Sequence, residues 1–184
     1  MTPMSSSSAM GSAPEIPRLR AAMVGLQHGH MGSLDPANPR GLLGTFRQLA
    51  ADEGIEIVAV CEPHDAAALA REIAFVPGAR GYSSIEELLE KEEIDLAVVG
   101  LPAVDVCPIL TALAARGVHC FVEKSVARTA EEFLPVVEAA RRTGAYVLVD
   151  YPWRHHPAVL ATRELLATGG RYAHLYEQFV HHAA

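Results

Sequence analysis

The stretch Val24-Gly25-Leu26-Gln27-His28-Gly29-His30-Met31-Gly32 is a glycine-rich turn that ends the first apolar run of the chain, Leu19–Leu26. The apolar run predicts a buried strand, and a helical pattern follows between Ser33 and Asp52. The segment Asp35–Pro39 interrupts that helix and is expected to be an inserted loop, because two prolines so close together cannot continue a helix. Strand, turn and helix together predict the first βα unit of an α/β fold.

Beyond this turn, short β-branched runs continue to alternate with amphipathic helical stretches. The alternation predicts a doubly wound, Rossmann-like parallel sheet with helices on both faces. The further predicted strands are Ile55–Cys61, Ile94–Leu101, Val118–Val122 and Tyr146–Val149. The further predicted helices are Asp65–Phe75, one capped by Ser84 with Glu87 three residues later, Ile109–Arg116 ending at Gly117, and one from Thr129 to Arg142 that stops at Gly144.

The pattern changes after Asp150. Pro157–Ala167 predicts a helix, and Arg171–His182 predicts one long strand. A long terminal strand without a partner leaves an exposed edge, so we expect it to open a second, incomplete α+β domain. The expected organisation is a disordered tail over residues 1–17, a dinucleotide-binding domain over 18–151, and the start of a truncated substrate and dimerisation domain over 152–184.

Composition narrows the class of protein. Half of the residues are hydrophobic, which is typical of a soluble globular chain. The formal net charge of −7 argues against nucleic-acid binding, because phosphate contacts need a basic face. No apolar run approaches the roughly 20 residues that span a membrane. Cys61, Cys107 and Cys120 have no paired spacing, and we expect buried thiols in a cytoplasmic protein.

The glycine turn lies where dinucleotide-binding folds hold a pyrophosphate on backbone N–H groups and on a helix N-terminus. The usual spacing G-x-G-x-x-G falls on Gly25, Gln27 and His30, so only its first glycine is kept. Gly29 and Gly32 offer flexibility nearby. A plain strand-to-helix turn is the alternative, and the position after the first strand favours the phosphate-binding interpretation.

Glu62 directly follows the second predicted strand and is the candidate acceptor for the ribose hydroxyls of the cofactor. Asp65 is a poorer candidate. A carboxylate in this place repels the extra phosphate of NADP and therefore favours NAD. The alternative is an ordinary surface glutamate in a turn.

Three histidine pairs raise the question of metal binding: His28 with His30, His155 with His156, and His181 with His182. None of them has the i, i+4 helical spacing with an acidic partner, and no cysteine pair joins them. We therefore expect no metal site. His28 and His30 are expected to line the phosphate or nicotinamide side of the cofactor.

The segment Val118–Lys124 ends a predicted buried strand with an acid and a base at the carboxyl edge of the sheet, where ligands bind in such folds. Taken alone, Glu123 and Lys124 are an ordinary solvated charge pair. They belong, however, to a longer series of motifs that begins with the glycine turn. The other members are Val60-Cys61-Glu62-Pro63, Tyr82–Leu89, Ile94–Val99, Gly117–Lys124 and Arg154-His155-His156-Pro157.

In this order, from Arg18 onward, the series resembles the glucose–fructose oxidoreductase, inositol dehydrogenase and rhizopine-catabolism family (Gfo/Idh/MocA). By that resemblance Lys124 matches the catalytic lysine of the family's Glu-Lys-Pro motif, which lies beside the nicotinamide and polarises or deprotonates the reacting hydroxyl. Leu101-Pro102 matches a step that borders the cofactor, and Arg154 matches an arginine at the hinge between domains. The expected cofactor-binding residues are Gly25, Gln27, His28, Gly29, His30, Met31, Glu62, Leu101, Pro102, Glu123, Lys124 and Arg154.

The chain also departs from the family pattern. Ser125 replaces the proline of Glu-Lys-Pro, Val106 stands where many members place a histidine, and Gln27 and His30 replace glycines. The Asp and His that the family's second domain brings to the substrate lie outside this sequence. Cofactor binding is therefore expected here, whereas turnover by this chain alone is not.

The resemblance implies the N-terminal part of an NAD- or NADP-dependent oxidoreductase. Such an enzyme transfers a hydride between nicotinamide and a hydroxyl-bearing carbon of a sugar, cyclitol or related polyol, and forms a homo-oligomer when full length. One alternative is a non-catalytic nucleotide-binding module of the same fold. Another is a truncated product without stable function, since an unpaired final strand promotes aggregation.

Overall fold

A computed structural model describes residues 18–169 of the chain. Its centre is one parallel sheet with the strand order β3-β2-β1-β4-β5-β6. The strands are β1 (Leu19–Val24), β2 (Ile55–Cys61), β3 (Arg80–Tyr82), β4 (Leu96–Val99), β5 (His119–Glu123) and β6 (Val147–Asp150). The chain crosses from one half of the sheet to the other after β3, so β1 and β4 flank the point where ligands bind in doubly wound folds.

Five α-helices connect these strands, and a sixth follows β6 within the described residues. They are α1 (Gly41–Asp52), α2 (Ala66–Ile73), α3 (Ile85–Lys91), α4 (Ala103–Ala115), α5 (Ala130–Thr143) and α6 (Pro157–Ala167). A short 3₁₀ helix, Pro152–His155, precedes α6.

The sheet is covered on both faces, because the buried part of its central strand β1, residues 21–24, is apolar throughout. On β1, Ala21 and Met23 pack into one cluster with side chains of α1 and α2. Ala22 and Val24 pack on the opposite face with side chains of α3, α4 and α5. All four have no exposed surface, as expected when alternate side chains of a buried strand point to opposite faces. The predicted doubly wound α/β fold is confirmed.

Capping residues set several helix ends as predicted. The Ser84 hydroxyl accepts from the Glu87 N–H at 3.2 Å, which starts α3. The Thr129 hydroxyl accepts from the Glu132 N–H, which starts α5. That helix ends at Gly144, whose φ of +80° lies in the left-handed region.

Two elements differ from the sequence-based expectation. Strand β3 was not predicted, because its three residues have no periodicity of their own and are held by pairing with β2. Helix α4 begins at Ala103, not at Ile109, and includes Pro108. A proline at that position removes one helical hydrogen bond, and the apolar contacts of α4 on the sheet outweigh this loss.

The contacts divide the chain into one unit up to Asp150 and another from Tyr151 onward. Within the second unit the predicted helix Pro157–Ala167 is present. The predicted tail over residues 1–17 and the predicted strand Arg171–His182 lie outside the described residues. In the part of the chain that the structure covers, no helix has both the length and the apolar character to cross a membrane.

Glu92 ties the end of α3 to the sheet edge. Its buried carboxylate accepts from the Tyr82 hydroxyl at 2.5 Å and forms ion pairs with Arg80 and, at 3.5 Å, with Arg20. Burial raises the pKa of Glu92, but the hydrogen bonds from Arg80 and Tyr82 and the nearby arginine charges outweigh it, so the pKa lies below its ordinary value.

A carboxyl whose pKa is depressed by folding stabilises the protein above its unfolded pKa, and this stabilisation disappears as the pH falls through the folded value. We therefore expect Glu92→Gln to lower the free energy of unfolding at neutral pH, and the deficit to shrink below a pH of about 4. Urea unfolding at several pH values measures this. Glu93→Gln, which removes an exposed neighbouring carboxylate, is the control. An equal deficit for Glu92→Gln at neutral and acid pH would contradict the prediction.

Candidate functional site

The turn after β1 and the end of β5 meet at the carboxyl edge of the sheet. His30 Nδ1 lies 3.1 Å from Glu123 Oε1, and His28 Nδ1 lies 3.7 Å from Glu123 Oε2. β4 separates these two strands in the sheet, so the turn reaches over its end to contact Glu123. Most of the residues that the sequence predicted for cofactor binding belong to this turn or to the strand ends beside it.

Gly25 shapes the start of the turn. Its φ is +78°, and a Cβ built there would lie 2.5 Å from Leu101 Cγ and 2.7 Å from the Gly100 carbonyl oxygen. Its N–H donates to the Cys61 carbonyl at 2.8 Å, so the backbone passes tightly between β2 and β4. A side chain is excluded on both conformational and steric grounds. This explains why the one glycine that the dinucleotide spacing retains is the one at this position.

The tip of the turn carries three successive backbone N–H groups, those of Gln27, His28 and Gly29, with no acceptor among residues 18–169. A Cβ built at Gly29 would meet no atom within 4 Å, so this part of the turn borders open space. Successive backbone N–H groups in a turn form a concave site for anions such as phosphate. The tip therefore has the donors and the room that a pyrophosphate needs.

Helix α1 contributes less than the sequence suggested. It begins only at Gly41, after the predicted loop, which is closed by a bridge between Ser33 and Arg40. The N–H groups of Leu42 and Leu43 donate to the carbonyls of His30 and Met31, each at 2.9 Å. The expectation that a helix N-terminus faces the phosphate is wrong for these two donors, because the turn itself occupies them.

Glu62 has a different environment from the one expected. The residue is 1% exposed, and its carboxylate accepts from the N–H groups of Leu26 at 2.6 Å and His64 at 2.8 Å. It also accepts from the Asp65 N–H and the Gln27 side-chain amide. The alternative of an ordinary surface glutamate does not fit this burial, because both oxygens are directed at the turns after β1 and β2. A contact between Glu62 and the ribose stays a prediction.

Glu123 and Lys124 lie at the end of β5, next to this turn. Glu123 is 3% exposed, and its Oε2 accepts from the Lys124 N–H at 3.0 Å. The Lys124 amine has no hydrogen bond or ion pair within the described part of the chain. Burial lowers the pKa of His28, and the Lys124 charge lowers it further against the opposing effect of Glu123. The lysine charge is thus close enough to influence the turn.

Four other predicted residues have different environments. Met31 is fully buried, and its side chain fills the space that a Cβ at Gly100 would need, so it offers the cofactor no side-chain surface. Leu101 is 3% exposed and supports Gly25 from below, while Pro102 is exposed at the start of α4. Arg154 is exposed and belongs to the second unit.

The sequence reasoning missed the grouping of His28 and His30 with Glu123. The sequence prediction considered only acidic partners at helical spacing. His30 and Glu123 are 93 residues apart. The available signal was topological, since the turn after one parallel strand and the end of another meet at the same sheet edge. A second missed group is Glu72, whose buried carboxylate accepts from the Leu34 N–H at 2.7 Å and so holds the inserted loop on α2.

Two named proteins are among those similar in sequence to this chain. A relative named alpha-N-acetylgalactosaminidase, from Bacteroides fragilis, is 26% identical over 178 residues, which cover 91% of this chain and 39% of that protein. A relative named dTDP-3,4-didehydro-2,6-dideoxy-alpha-D-glucose 3-reductase, from Streptomyces antibioticus, is 28% identical over 144 residues, 78% of this chain and 42% of that protein. The chain thus spans about two fifths of the length of these relatives.

Solved structures show the same fold. The WlbA dehydrogenase from Chromobacterium violaceum, in complex with NADH and UDP-GlcNAcA, has a TM-score of 0.65 at 21% identity and covers 85% of this chain and 43% of its own. The myo-inositol 2-dehydrogenase from Lactobacillus plantarum has a TM-score of 0.63 at 18% identity and covers 83% of this chain and 42% of its own.

The model of the oxidoreductase family with an NAD-binding Rossmann fold, Gfo/Idh/MocA, matches residues 19–151. That match covers both the turn after β1 and the Glu123–Lys124 end of β5. The resemblance inferred from the sequence motifs is confirmed: this chain belongs to the Gfo/Idh/MocA oxidoreductase family.

Proposed function

We propose that this domain holds a nicotinamide dinucleotide for hydride transfer to and from a hydroxyl-bearing carbon of a sugar, cyclitol or related polyol. The observation that carries the proposal is the run of three N–H groups at Gln27, His28 and Gly29, which have no acceptor within residues 18–169 and lie on the same edge as Lys124. When bound, the nicotinamide supplies the hydride donor or acceptor. Everything else in the reaction must come from the protein and the substrate.

The turn would hold the pyrophosphate through its backbone N–H groups, which need no side-chain charge. Gly29 leaves room for the close approach that such contacts require. We infer that Glu62 acts on the cofactor indirectly, by fixing the Leu26 N–H and the Gln27 side chain that flank the tip. We also propose a preference for NAD over NADP, because the negative charge of Glu62 would repel the extra phosphate of NADP.

Lys124 would act on the substrate oxygen. An ammonium at the end of β5 stabilises the alkoxide that develops as the carbinol carbon loses its hydride, and the neutral amine can take the hydroxyl proton. An amine that has no partner among the described residues is available for that contact. The substrate class follows the names of the related proteins, which include sugar reductases and inositol dehydrogenases.

Titration of the purified chain with NADH, followed by cofactor fluorescence, tests the binding step. We expect a saturable change below millimolar cofactor. Gly29→Val should weaken binding at least about tenfold, because the new side chain enters the space assigned to the pyrophosphate. The thermal midpoint should stay unchanged, since no protein atom lies near that Cβ.

Gly81→Ala is the control for a glycine substitution. Gly81 lies on β3, and a Cβ there would make only ordinary contacts with Leu69 of α2. This variant should bind NADH as the parent does. Absence of saturable binding by the parent chain would count against the oxidoreductase function and also against a nucleotide-binding module.

A non-catalytic nucleotide-binding module is the second candidate. The observation that favours it is the altered turn, in which α1 starts late and its first N–H groups are occupied. Both candidates predict NADH binding, so turnover separates them. The assay measures alcohol oxidation by the domain joined to a substrate-binding domain, with sugars and cyclitols as substrates. Cofactor binding without any oxidation would favour the module.

A further inference from the structure

His28, His30 and Glu123 form a compact group, here called the His–Glu cluster. One nitrogen from each imidazole and one carboxylate oxygen all lie within 4.8 Å of one another. Within residues 18–169 this is the one group of three histidine, cysteine or acidic side chains placed so closely that they could hold a metal ion. None of the roles proposed above for the cofactor requires both imidazoles to approach the same carboxylate.

The spacing suits a small metal ion. Zinc forms bonds of about 2.0–2.2 Å to histidine nitrogen and carboxylate oxygen, so tetrahedral ligand atoms lie about 3.4 Å apart. The distances from His30 Nδ1 to Glu123 Oε1, 3.1 Å, and from His28 Nδ1 to Glu123 Oε2, 3.7 Å, fall on either side of that value. His28 Nδ1 also accepts from the His30 N–H at 3.3 Å, a long contact that the imidazole would give up on binding an ion.

The three candidate ligands differ in their exposure to solvent. The Glu123 carboxylate is buried and held by the Lys124 N–H, so its position is fixed before any ion arrives. The His28 side chain is 21% exposed and that of His30 is 56% exposed. The exposed side of the cluster leaves a fourth coordination position open to water, which is the arrangement of accessible zinc sites.

The donor set also selects the ion. Two imidazoles with one carboxylate suit zinc, cobalt, nickel or iron, whereas magnesium and calcium prefer oxygen ligands alone. The buried carboxylate supplies the negative charge that a dication requires. The Lys124 charge, which acts on His28, opposes the binding of a cation.

We propose that His28, His30 and Glu123 bind a divalent transition metal of the zinc class, with the fourth position open to solvent. The proposal replaces the sequence-based expectation that the chain has no metal site. It does not depend on the proposed oxidoreductase function, because the three ligands are complete without nucleotide.

Cobalt(II) titration of the chelator-treated full chain, without nucleotide, tests the site by visible absorption and by calorimetry. We expect one cobalt per chain, a d–d band typical of low coordination number, displacement by zinc, and no displacement by magnesium. His28→Gln and His30→Gln should each weaken binding about 100-fold, at the upper end of the losses seen when supporting residues of metal sites are changed.

His64→Gln is the matched control, because its imidazole also contacts a carboxylate, that of Asp105 at 3.1 Å, but lies outside the cluster. It should bind cobalt as the parent does. Absence of a cobalt band from the folded chain at millimolar metal would overturn the proposal. So would equal affinity in the parent and the His28→Gln/His30→Gln double variant, since binding would then involve other histidines. NADH fluorescence on the same samples reads the proposed function separately, so either proposal can fail alone.

Discussion

Replacing Lys124 with methionine is expected to lower kcat for alcohol oxidation by about 10²–10⁴-fold, with little change in NADH affinity. Methionine keeps the length of the side chain and removes the charged amine. The loss arises because no group then stabilises or deprotonates the reacting oxygen, whereas the pyrophosphate contacts come from the turn at Gln27–Gly29. Steady-state kinetics of the domain joined to a substrate-binding domain measure the effect.

Lys91→Met is the matched control, because Lys91 pairs with Glu87 on the exposed face of α3 and has no proposed contact with the substrate. Its kcat should equal that of the parent. A pH profile adds a second test, since loss of a proton-transferring amine should remove one limb of the profile. Equal kcat for Lys124→Met and the parent would remove Lys124 from its catalytic role.

Glu62→Ala is expected to lower the free energy of unfolding by about 2–4 kcal/mol in the absence of cofactor. The reason is that the N–H groups of Leu26, His64 and Asp65 all lose their acceptor, and a buried donor without a partner costs about 1–3 kcal/mol. Urea unfolding measures the change. Glu62→Gln should lose less, because the amide oxygen still accepts from part of this set.

Glu56→Ala is the control on the same strand, since Glu56 is exposed on β2. Its free energy of unfolding should change little. A role for Glu62 confined to the cofactor ribose predicts a different result, in which Glu62→Ala keeps the parent's stability and loses only NADH affinity. That result would contradict the inward hydrogen bonding as the main function of this side chain.

The pattern of apolar runs was sufficient to predict the sheet and most helices. β1, β2 and β5 were predicted because their side chains are apolar on both faces, and Ser84 and Thr129 marked helix starts through their own hydrogen bonds. These signals are local, so they can be recognised in a single sequence. β3 could not be predicted in this way, because the three residues become a strand only through pairing with β2.

The site divides along the same line. Gly25 and Lys124 were predicted as site residues because each follows a predicted strand, at the edge of the sheet where ligands bind. The inward direction of the Glu62 carboxylate and the burial of Met31 were not foreseen, because both depend on which other elements reach the space around them. The capture of the first α1 donors by the His30 and Met31 carbonyls likewise depends on how the inserted loop folds back.

The order of residues alone was thus sufficient to predict a doubly wound α/β fold, a glycine turn after its first strand and a lysine at the edge of the sheet. Tertiary structure alone decided that Glu62 supports that turn, and that His28 and His30 meet a carboxylate 93 residues away from His30. The physical reason is range. Strand and helix patterns arise from neighbours along the chain. The partner of a polar side chain depends on which strands lie side by side in the completed sheet.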